Sequence, residues 1–369
     1  MSDAAPSGAS GVTHPILSTG IDRADTPEMI DHLLEAGAGE FFAGFIPPEW
    51  SERFGWEVEM NRRTFGGSSQ YTRLEELQNS INAIHAADRT VNITLNGHDY
   101  GAERLDMLRD IVRTVDKLNP DAFIVADPAL MVMLEKWGID RPLHLSTGAA
   151  CFNSETVRFF CERHNVRRVI IPRKFALSEM ARFIDRLEDL ELEFEVMVIS
   201  YRCHFNDELC FSLHSAAGSN LCTEFIKAPK QTSKRMPDNW KEVVEDAVEN
   251  PTQQFREGAA MDMFCTEMAR DVPVPPPPKK VAELGVHSTV ASTFYNNCGL
   301  CAIPELLRMG VQVLKVPARG ASWQKIPYLQ AVRAIANDPT ANTDTCQALI
   351  NSAGFCGLPE ACYYHLDNT

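Results

Sequence analysis

Two cysteine-bearing stretches hold the densest chemistry in this 369-residue chain. The first reads YRCHFNDELCFSLHSAAGSNLC. Six residues separate Cys203 from Cys210, and eleven separate Cys210 from Cys222. The second, NNCGLC, adds Cys298 and Cys301 after a long interval. Clustered thiols in a chain without an export signal read as soft-metal ligands and not as disulfide partners. Thiolates hold iron–sulfur clusters in sets of four, and we read the set that way. Two other readings of the same residues stand beside it. One is a structural zinc, although the spacing matches no zinc finger. The other is a Cys-x-x-Cys redox pair at Cys298 and Cys301. Cys151 and Cys161 stand alone and are expected as buried small hydrophobes.

The remaining chemistry sits where apolar runs end. Ser18 and Thr19, then Asn96, His98 and Asp99, then Asp127, then Ser146 and Thr147 each close such a run. Arg173, Ser200 to Cys203 and Arg319 complete the series. Arg173 and Arg319 are its clearest cations, and the planar guanidinium fork suits a carboxylate or phosphate. The competing expectation is a structural ion pair with a neighbouring acid. A hydrolase would need an activated nucleophile or a metal-bound water. The chain has no GxSxG and no HExxH, and nothing in the spacing singles out Cys151 or Cys203 with His144 or His204.

Stepping outward, short apolar runs alternate with helical periodicity. HPILSTG, EFFAGF, TVNITLNG, AFIVAD, PLHLST, RRVIIPR, EFEVMVIS and QVLKVPAR read as strands covered on both faces. Between them lie amphipathic segments such as TPEMIDHLLEAGA, with Thr26 as N-cap, and AERLDMLRDIVRTVDKLN. Seven or eight such units predict a (β/α)8 TIM-like barrel, with a doubly wound sheet as the alternative. The alternation breaks between the third and fourth candidate cluster cysteines. The expected organisation is a disordered tail over 1–13, barrel over 14–224, an insertion over 225–284 serving as lid or partner surface, barrel again over 285–336, and a cysteine-containing tail over 337–369. In the barrel geometry Cys203, Cys210 and Cys222 follow one strand and Cys301 precedes the last, and those two strands are neighbours.

Composition is that of an ordinary globular protein, 44% hydrophobic and 23% charged. A net charge of −15 argues against electrostatic nucleic-acid binding. No run of apolar residues is long enough to span a membrane, and the first residues do not read as a signal peptide, so a cytoplasmic location is expected.

Six segments in order, LLEAGAGEFFAGF, TVNITLN, LHLSTGAACFNSETVRFF, VRRVIIPRKFALSEM, YRCHFNDELC and CAIPELLRMGVQVLKVPAR, resemble the collagenase-like family once filed among peptidases of unassigned type. That family includes oxygen-independent hydroxylases of the ubiquinone ring and of RNA. The resemblance covers roughly residues 14–222 and 285–320. It implies an eight-stranded α/β barrel and a [4Fe-4S] cluster on Cys203, Cys210, Cys222 and Cys301, with Cys298 to spare. It also implies prephenate in place of O2 as oxygen donor, which gives Arg173 and Arg319 a carboxylate ligand. Asn96, His98, Asp127 and Ser146 are the further candidate substrate contacts. The chain departs from the family at Lys174, where glutamate is usual, and at Gly148, where glutamine is. It departs again at Ile199–Ser200 in place of His-Gly, and in the ending Lys315-Val316-Pro317-Ala318-Arg319. The resemblance does not extend to the C-terminal domain of the longer RNA-modifying members, so RNA is the less expected substrate. The expected function is an iron–sulfur, oxygen-independent hydroxylase of a small organic molecule. The alternatives are a peptidase, or a non-catalytic subunit completed by a homologous partner or a second copy.

Overall fold

The structure, a computed structural model, describes residues 14–55, 60–62, 70–98, 100–200, 207–209, 297–317, 325–350 and 362–364. The expected tail over 1–13, the insertion over 225–284, Cys203, Cys210, Cys222 and Arg319 lie outside the described residues.

Eight parallel strands close into a barrel. They are β1 (Ile16–Gly20), β2 (Glu40–Ala43), β3 (Thr90–Leu95), β4 (Ala122–Val125), β5 (Leu143–Leu145), β6 (Val166–Ile170), β7 (Glu193–Met197) and β10 (Val313–Val316). They pair in chain order, and β10 closes the ring between β7 and β1. The cysteine-bearing stretches thus leave β7 and approach β10, two neighbouring strands. A two-residue antiparallel ribbon, β8 (Ile199–Ser200) with β9 (Asn297–Cys298), lies just beyond β7. The eight-strand barrel expected from the alternation is therefore the observed fold.

Local sequence accounts for the helices. In α1 (Pro27–Glu35) the Thr26 hydroxyl accepts from the Met29 amide at 3.3 Å, Pro27 occupies the first turn, and Ile30 and Leu33 are buried. In α4 (Leu105–Asp116) Leu108, Ile111, Val112 and Val115 form the buried stripe. Asn153 caps α6 (Ser154–Cys161) through the Thr156 amide at 2.9 Å. The series continues with α3 (Leu74–Ala86), α5 (Pro128–Lys136), α7 (Leu177–Asp185) and α8 (Ile303–Arg308). Two helices were not anticipated. α2 (Pro48–Phe54) buries Trp50, and α9 (Lys325–Ala336) packs on α1, β1 and β10 as the eighth helix of the barrel. The region beyond 337 joins the core. α10 (Thr343–Ile350) supplies Cys346 and Leu349, and Tyr363 and Tyr364 pack beside them. Among the described residues no helix is long and apolar enough to cross a membrane.

The strands are not apolar on both faces. Residues level with one another in a parallel sheet point to the same side. The register Lys315–Ser18–Glu40 and Ile124–His144–Arg168 therefore sets one continuous face. That face is the lumen, because the Arg168 guanidinium on β6 reaches Glu40 on the opposite strand β2 at 2.6 Å. Arg168 also bonds Glu195 at 3.0 Å and Glu193 at 2.7 Å, and Lys315 bonds Glu195 at 2.6 Å. Above this ionic layer Phe42, Ile124 and Ile170 form a small apolar cluster of their own. The outward residues, such as Phe41, Val91, Val169, Val196 and Leu314, make the ordinary core under the helices.

His144 lies within the ionic layer, 5% exposed. Burial, then the charges of Arg168 and Lys315, hold its imidazole well below the usual value against the pull of Glu195. The unfolded chain therefore takes up a proton that the native chain refuses. Stability should be intact above the ordinary histidine pKa of about 6.5 and fall by up to about 1.4 kcal/mol per pH unit below it, until the native imidazole itself titrates. Urea midpoints between pH 7.5 and 5 check this, and the slope should flatten in His144→Asn.

Candidate functional site

The C-terminal ends of the strands surround an open cavity set on the Phe42, Ile124 and Ile170 cluster. Barrel enzymes place their chemistry at this end. Asn96, Ser146 and Arg173, three of the residues expected from strand ends, line it. Asn96 sits between two neighbours: its Oδ1 accepts from the Arg62 amide at 3.1 Å, and its Nδ2 donates to Ser146 Oγ at 3.4 Å. Ser146 Oγ in turn accepts from the Gly148 amide at 3.3 Å, shaping the short turn Thr147–Ala149.

Arg173 is not a lone cation. Its Nε donates to Asp207 Oδ2 at 2.8 Å and its Nη2 to Asp207 Oδ1, a two-pronged pair in which both side chains are about a tenth exposed. Burial alone would push the Asp207 carboxyl up. The Arg173 charge and hydrogen bond outweigh it, helped by Thr147 and Arg62, so the carboxyl sits below its usual range. The competing expectation of an ion pair is thus met at Arg173, in a position where the pair still walls the cavity.

Two other expected contacts take different places. Asp127 is the N-cap of α5, and one carboxylate oxygen accepts from the Ala129 amide at 2.6 Å and the Leu130 amide at 3.1 Å. A carboxylate engaged with a helix terminus is stabilised there, and Asp127 reaches the site through its charge on His98. His98 stands at the exposed rim. Burial, then Arg62, lower its pKa from the usual value, while Asp127 and Asp207 oppose them. Ser18 and Thr19 lie within β1 and not at its end; Thr19 Oγ1 donates to the Val316 carbonyl at 3.3 Å.

His98 occupies the space over Gly148. A Cβ at Gly148 would come within 2.9 Å of His98 Nε2 and 3.0 Å of its Cε1. Gly148→Ala is expected to swing the imidazole outward at a stability change within about 0.5 kcal/mol, since a rim side chain can yield. The measurable result is the His98 titration moving up toward the ordinary histidine value in an NMR pH series. An unmoved titration would mean that His98 does not pack on Gly148.

Residue patterns did not single out Arg62, Asp207 or Lys315 as cavity residues. Lys315 lines the floor, 4% exposed, with its ammonium 4.0 Å from the Phe42 ring centroid and bonded to Glu195. Its signal was one lysine inside the apolar run QVLKVPAR, level with Ser18 across the sheet. The described lining carries three cations, Arg62, Arg173 and Lys315, and one carboxylate, Asp207, while Glu195 is bonded to Lys315 and Arg168 in the ionic layer.

The hydrolase pair Cys151–His144 is not formed. Cys151 is wholly buried, its thiol pushed up to about 12 by burial and then by Cys161, and its Sγ lies 3.8 Å from the Ala149 carbonyl. His144 faces the lumen. Cys161, half-buried, is likewise pushed up to about 11 by burial. Neither thiol has the depressed pKa of a nucleophile.

Of the proposed cluster ligands, Cys301 is described. It lies half-buried in the turn Leu300–Ala302, just before α8, and its thiol is pushed well up by a hydrogen bond with Cys346 and then by burial. A metal would displace that proton. Of the four expected donors the described residues supply one, the half-buried Cys301 sulfur in the turn before α8. The ribbon adds a covalent argument. Ser200 pairs with Asn297 and Ile199 with Cys298. Cys301 is three residues beyond Cys298 along the chain, so it lies within about 11 Å of the ribbon at full extension. Among the described residues no group of three or more Cys, His, Asp or Glu forms a metal site.

The chain is 26% identical over 259 residues to the tRNA hydroxylation protein P of Escherichia coli K12, covering 68% of this chain and 55% of that protein. It is 32% identical over 120 residues to the protein of the same name from Helicobacter pylori J99, covering 32% of this chain and 28% of that one. The chain thus spans about half or less of the length of these relatives. Among solved structures, a U32 peptidase, Mk0906, superposes with a TM-score of 0.38 at 14% identity over 53% of this chain and 72% of that one. An aldo-keto reductase from Bacillus halodurans gives 0.36 at 9% identity over 91% and 88%. At such scores neither likeness adds to the fold assignment. The profile of Peptidase family U32 matches residues 27–351, from the first residue of α1 to the residue after α10, and the chain belongs to that family.

Proposed function

We propose that the chain is an iron–sulfur-dependent, oxygen-independent hydroxylase of a small organic molecule, with prephenate as oxygen donor. The observation that supports it is the β8–β9 ribbon, which pairs Ile199–Ser200, just after β7, with Asn297–Cys298, just before Cys301. The hydroxylation named for the E. coli and H. pylori relatives supports the reaction class. A four-thiolate cluster held by Cys203, Cys210, Cys222 and Cys301 would supply one-electron chemistry when bound.

The rest falls to the residues of the cavity. Phe42, Ile124 and Ile170 give an apolar seat that excludes water from a ring. Arg62, Arg173 and Lys315 at the wall suit a carboxylate on that ring, oriented by Asn96, Ser146 and Thr147. His98, held below its usual pKa, is neutral at neutral pH, and its ring nitrogen can accept a proton released at the rim. Arg319 is assigned here as the second carboxylate contact on the strength of the resemblance.

Anaerobic purification and counting of iron and sulfide tests the reading. About four of each per chain is expected, lost in Cys203→Ser. One zinc per chain in their place would sink it in favour of a structural metal. Incubation of the loaded protein with prephenate and candidate ring compounds then tests the substrate. A second reading, a tRNA nucleoside as acceptor, is favoured by the name the relatives carry. Mass spectrometry of tRNA incubated under the same conditions separates the two.

A further inference from the structure

The three cations of the mouth are not equal partners for an incoming anion. Arg173 already gives two of its donors to Asp207. Lys315 differs from it in place and in capacity. The floor of the mouth is one layer of the barrel, built from alternate strands: Phe42 on β2, Ile124 on β4, Ile170 on β6 and Lys315 on β10. The first three are apolar and pack together. The fourth brings an ammonium into a floor otherwise shaped for a flat ring.

The layer beneath draws on the other four strands through Ser18, Asn92, His144 and Glu195, and each of these is buried. Glu195 holds Lys315 from below. Its Oε1 accepts from Lys315 Nζ at 2.6 Å, and its Oε2 accepts from Arg168 at 3.0 Å. An ammonium carries three donors. One goes to Glu195, and the Phe42 ring face lies 4.0 Å from Nζ. Among the described residues no second acceptor bonds Nζ. Lys315 is only 4% exposed, so water screens its charge less than it would at the rim. Donor capacity, burial and position at the floor thus coincide in one side chain.

Resting on the reading of the mouth as the seat of an acidic ring, we propose that Lys315 is its specificity-determining residue. The ammonium receives the carboxylate at the floor, so the acid points down the barrel and the opposite edge of the ring faces His98 at the rim. Glu195 is the resident counterion, and the bound acid shares the ammonium with it. Removing the ammonium should therefore weaken an acid and spare its neutral isostere. Removing the counterion should strengthen the acid.

The probes are benzoate and benzamide, flat rings of one size that differ in charge. Each is titrated into the full chain, with and without anaerobic iron loading, and followed by NMR or calorimetry. Wild type should bind benzoate about tenfold more tightly than benzamide, as one charge-assisted hydrogen bond implies. Lys315→Met should erase that preference while benzamide affinity stays within about twofold. Glu195→Gln should raise benzoate affinity about threefold and leave benzamide unchanged. Should Lys315→Met fold poorly with Glu195 short of a partner, Lys315→Met with Glu195→Gln gives the same readout on a neutral pair. A folded variant without the ammonium that still prefers benzoate overturns the inference. So does benzamide weakening in step with benzoate, which would mark Lys315 as a structural residue. Lys315-dependent benzoate binding by a chain that takes up no iron supports the inference and sinks the cluster reading instead. A chain with about four iron and four sulfide that binds neither ring overturns the inference and leaves the cluster standing.

Discussion

Replacing Arg168 with methionine is expected to destabilise the protein by about 3–5 kcal/mol or more, enough to unfold much of a marginally stable chain. The guanidinium is 3% exposed and is the only described cation bonded to Glu40 across the lumen; it also holds Glu195 and Glu193. Burial alone would lower the Arg168 pKa, but Glu40 and Glu195 outweigh it and hold it above its usual value. Removing it strands Glu40 and Glu195, both almost wholly buried, in a layer that water does not reach. Glu195 would keep Lys315, so the heavier penalty should fall on Glu40. The double variant Arg168→Met, Glu40→Gln, which leaves Glu195 paired with Lys315, should recover a large part of the loss, since the cost comes from orphaned charge more than from lost attraction. Urea denaturation of the three chains decides it. A loss below about 1 kcal/mol in the single variant would mean that the lumen is hydrated enough to solvate free carboxylates.

The network also sets a lower pH limit. Burial pushes the Glu195 carboxyl up, but Lys315 and Arg168 together carry it below the usual range. Its contribution is therefore present above the ordinary carboxylate pKa of about 4.3 and is lost as pH falls toward the native value.

The second large effect is expected at the other end of the chain. Lys325 opens α9 with its ammonium 2.5 Å from Asp25 Oδ2, and both side chains are wholly buried. The same carboxylate oxygen accepts from the Asp22 amide at 2.9 Å, and Asp25 Oδ1 has no hydrogen-bond partner among the described residues. One ion pair thus fastens the eighth helix to the loop between β1 and α1. Lys325→Met should cost about 3–5 kcal/mol, because Asp25 stays behind as a buried charge with a single amide for support. Lys325→Met with Asp25→Asn should be milder than the single change. Hydrogen exchange would localise the loss to α9, α1 and β1. If the double variant is worse than Lys325→Met alone, the pair is a net stabiliser in its own right and the orphaned charge is not the main term.

The order of elements was legible from the amino-acid pattern alone. Every barrel strand was visible as a short run of Val, Ile, Leu and Phe between turn residues. Most helices showed their buried stripe and several their caps, as at Thr26. These are local signals: burial of alternating residues and satisfaction of the first helical amides act over a few positions. α9 was hidden because its buried residues include Lys325 and Tyr328, which read as surface until Asp25 is brought to it from three hundred positions away. The strand ends named the mouth correctly at Asn96, Ser146 and Arg173. They misplaced Ser18 and Thr19, which lie inside β1, and gave no hint that Asp127 spends its carboxylate on α5.

Only the tertiary structure decided which faces of the strands meet. Parity along one strand separates Glu40 from Phe41, or Lys315 from Leu314, but does not say which side is lumen and which lies under helices. Closure of the ring settles it, because Arg168 then finds Glu40 on the opposite strand. Closure likewise brings Asp207 to Arg173, Cys346 to Cys301, and Ser200 to Asn297. Such meetings depend on where whole strands and helices pack, a long-range outcome that spacing along the chain does not encode.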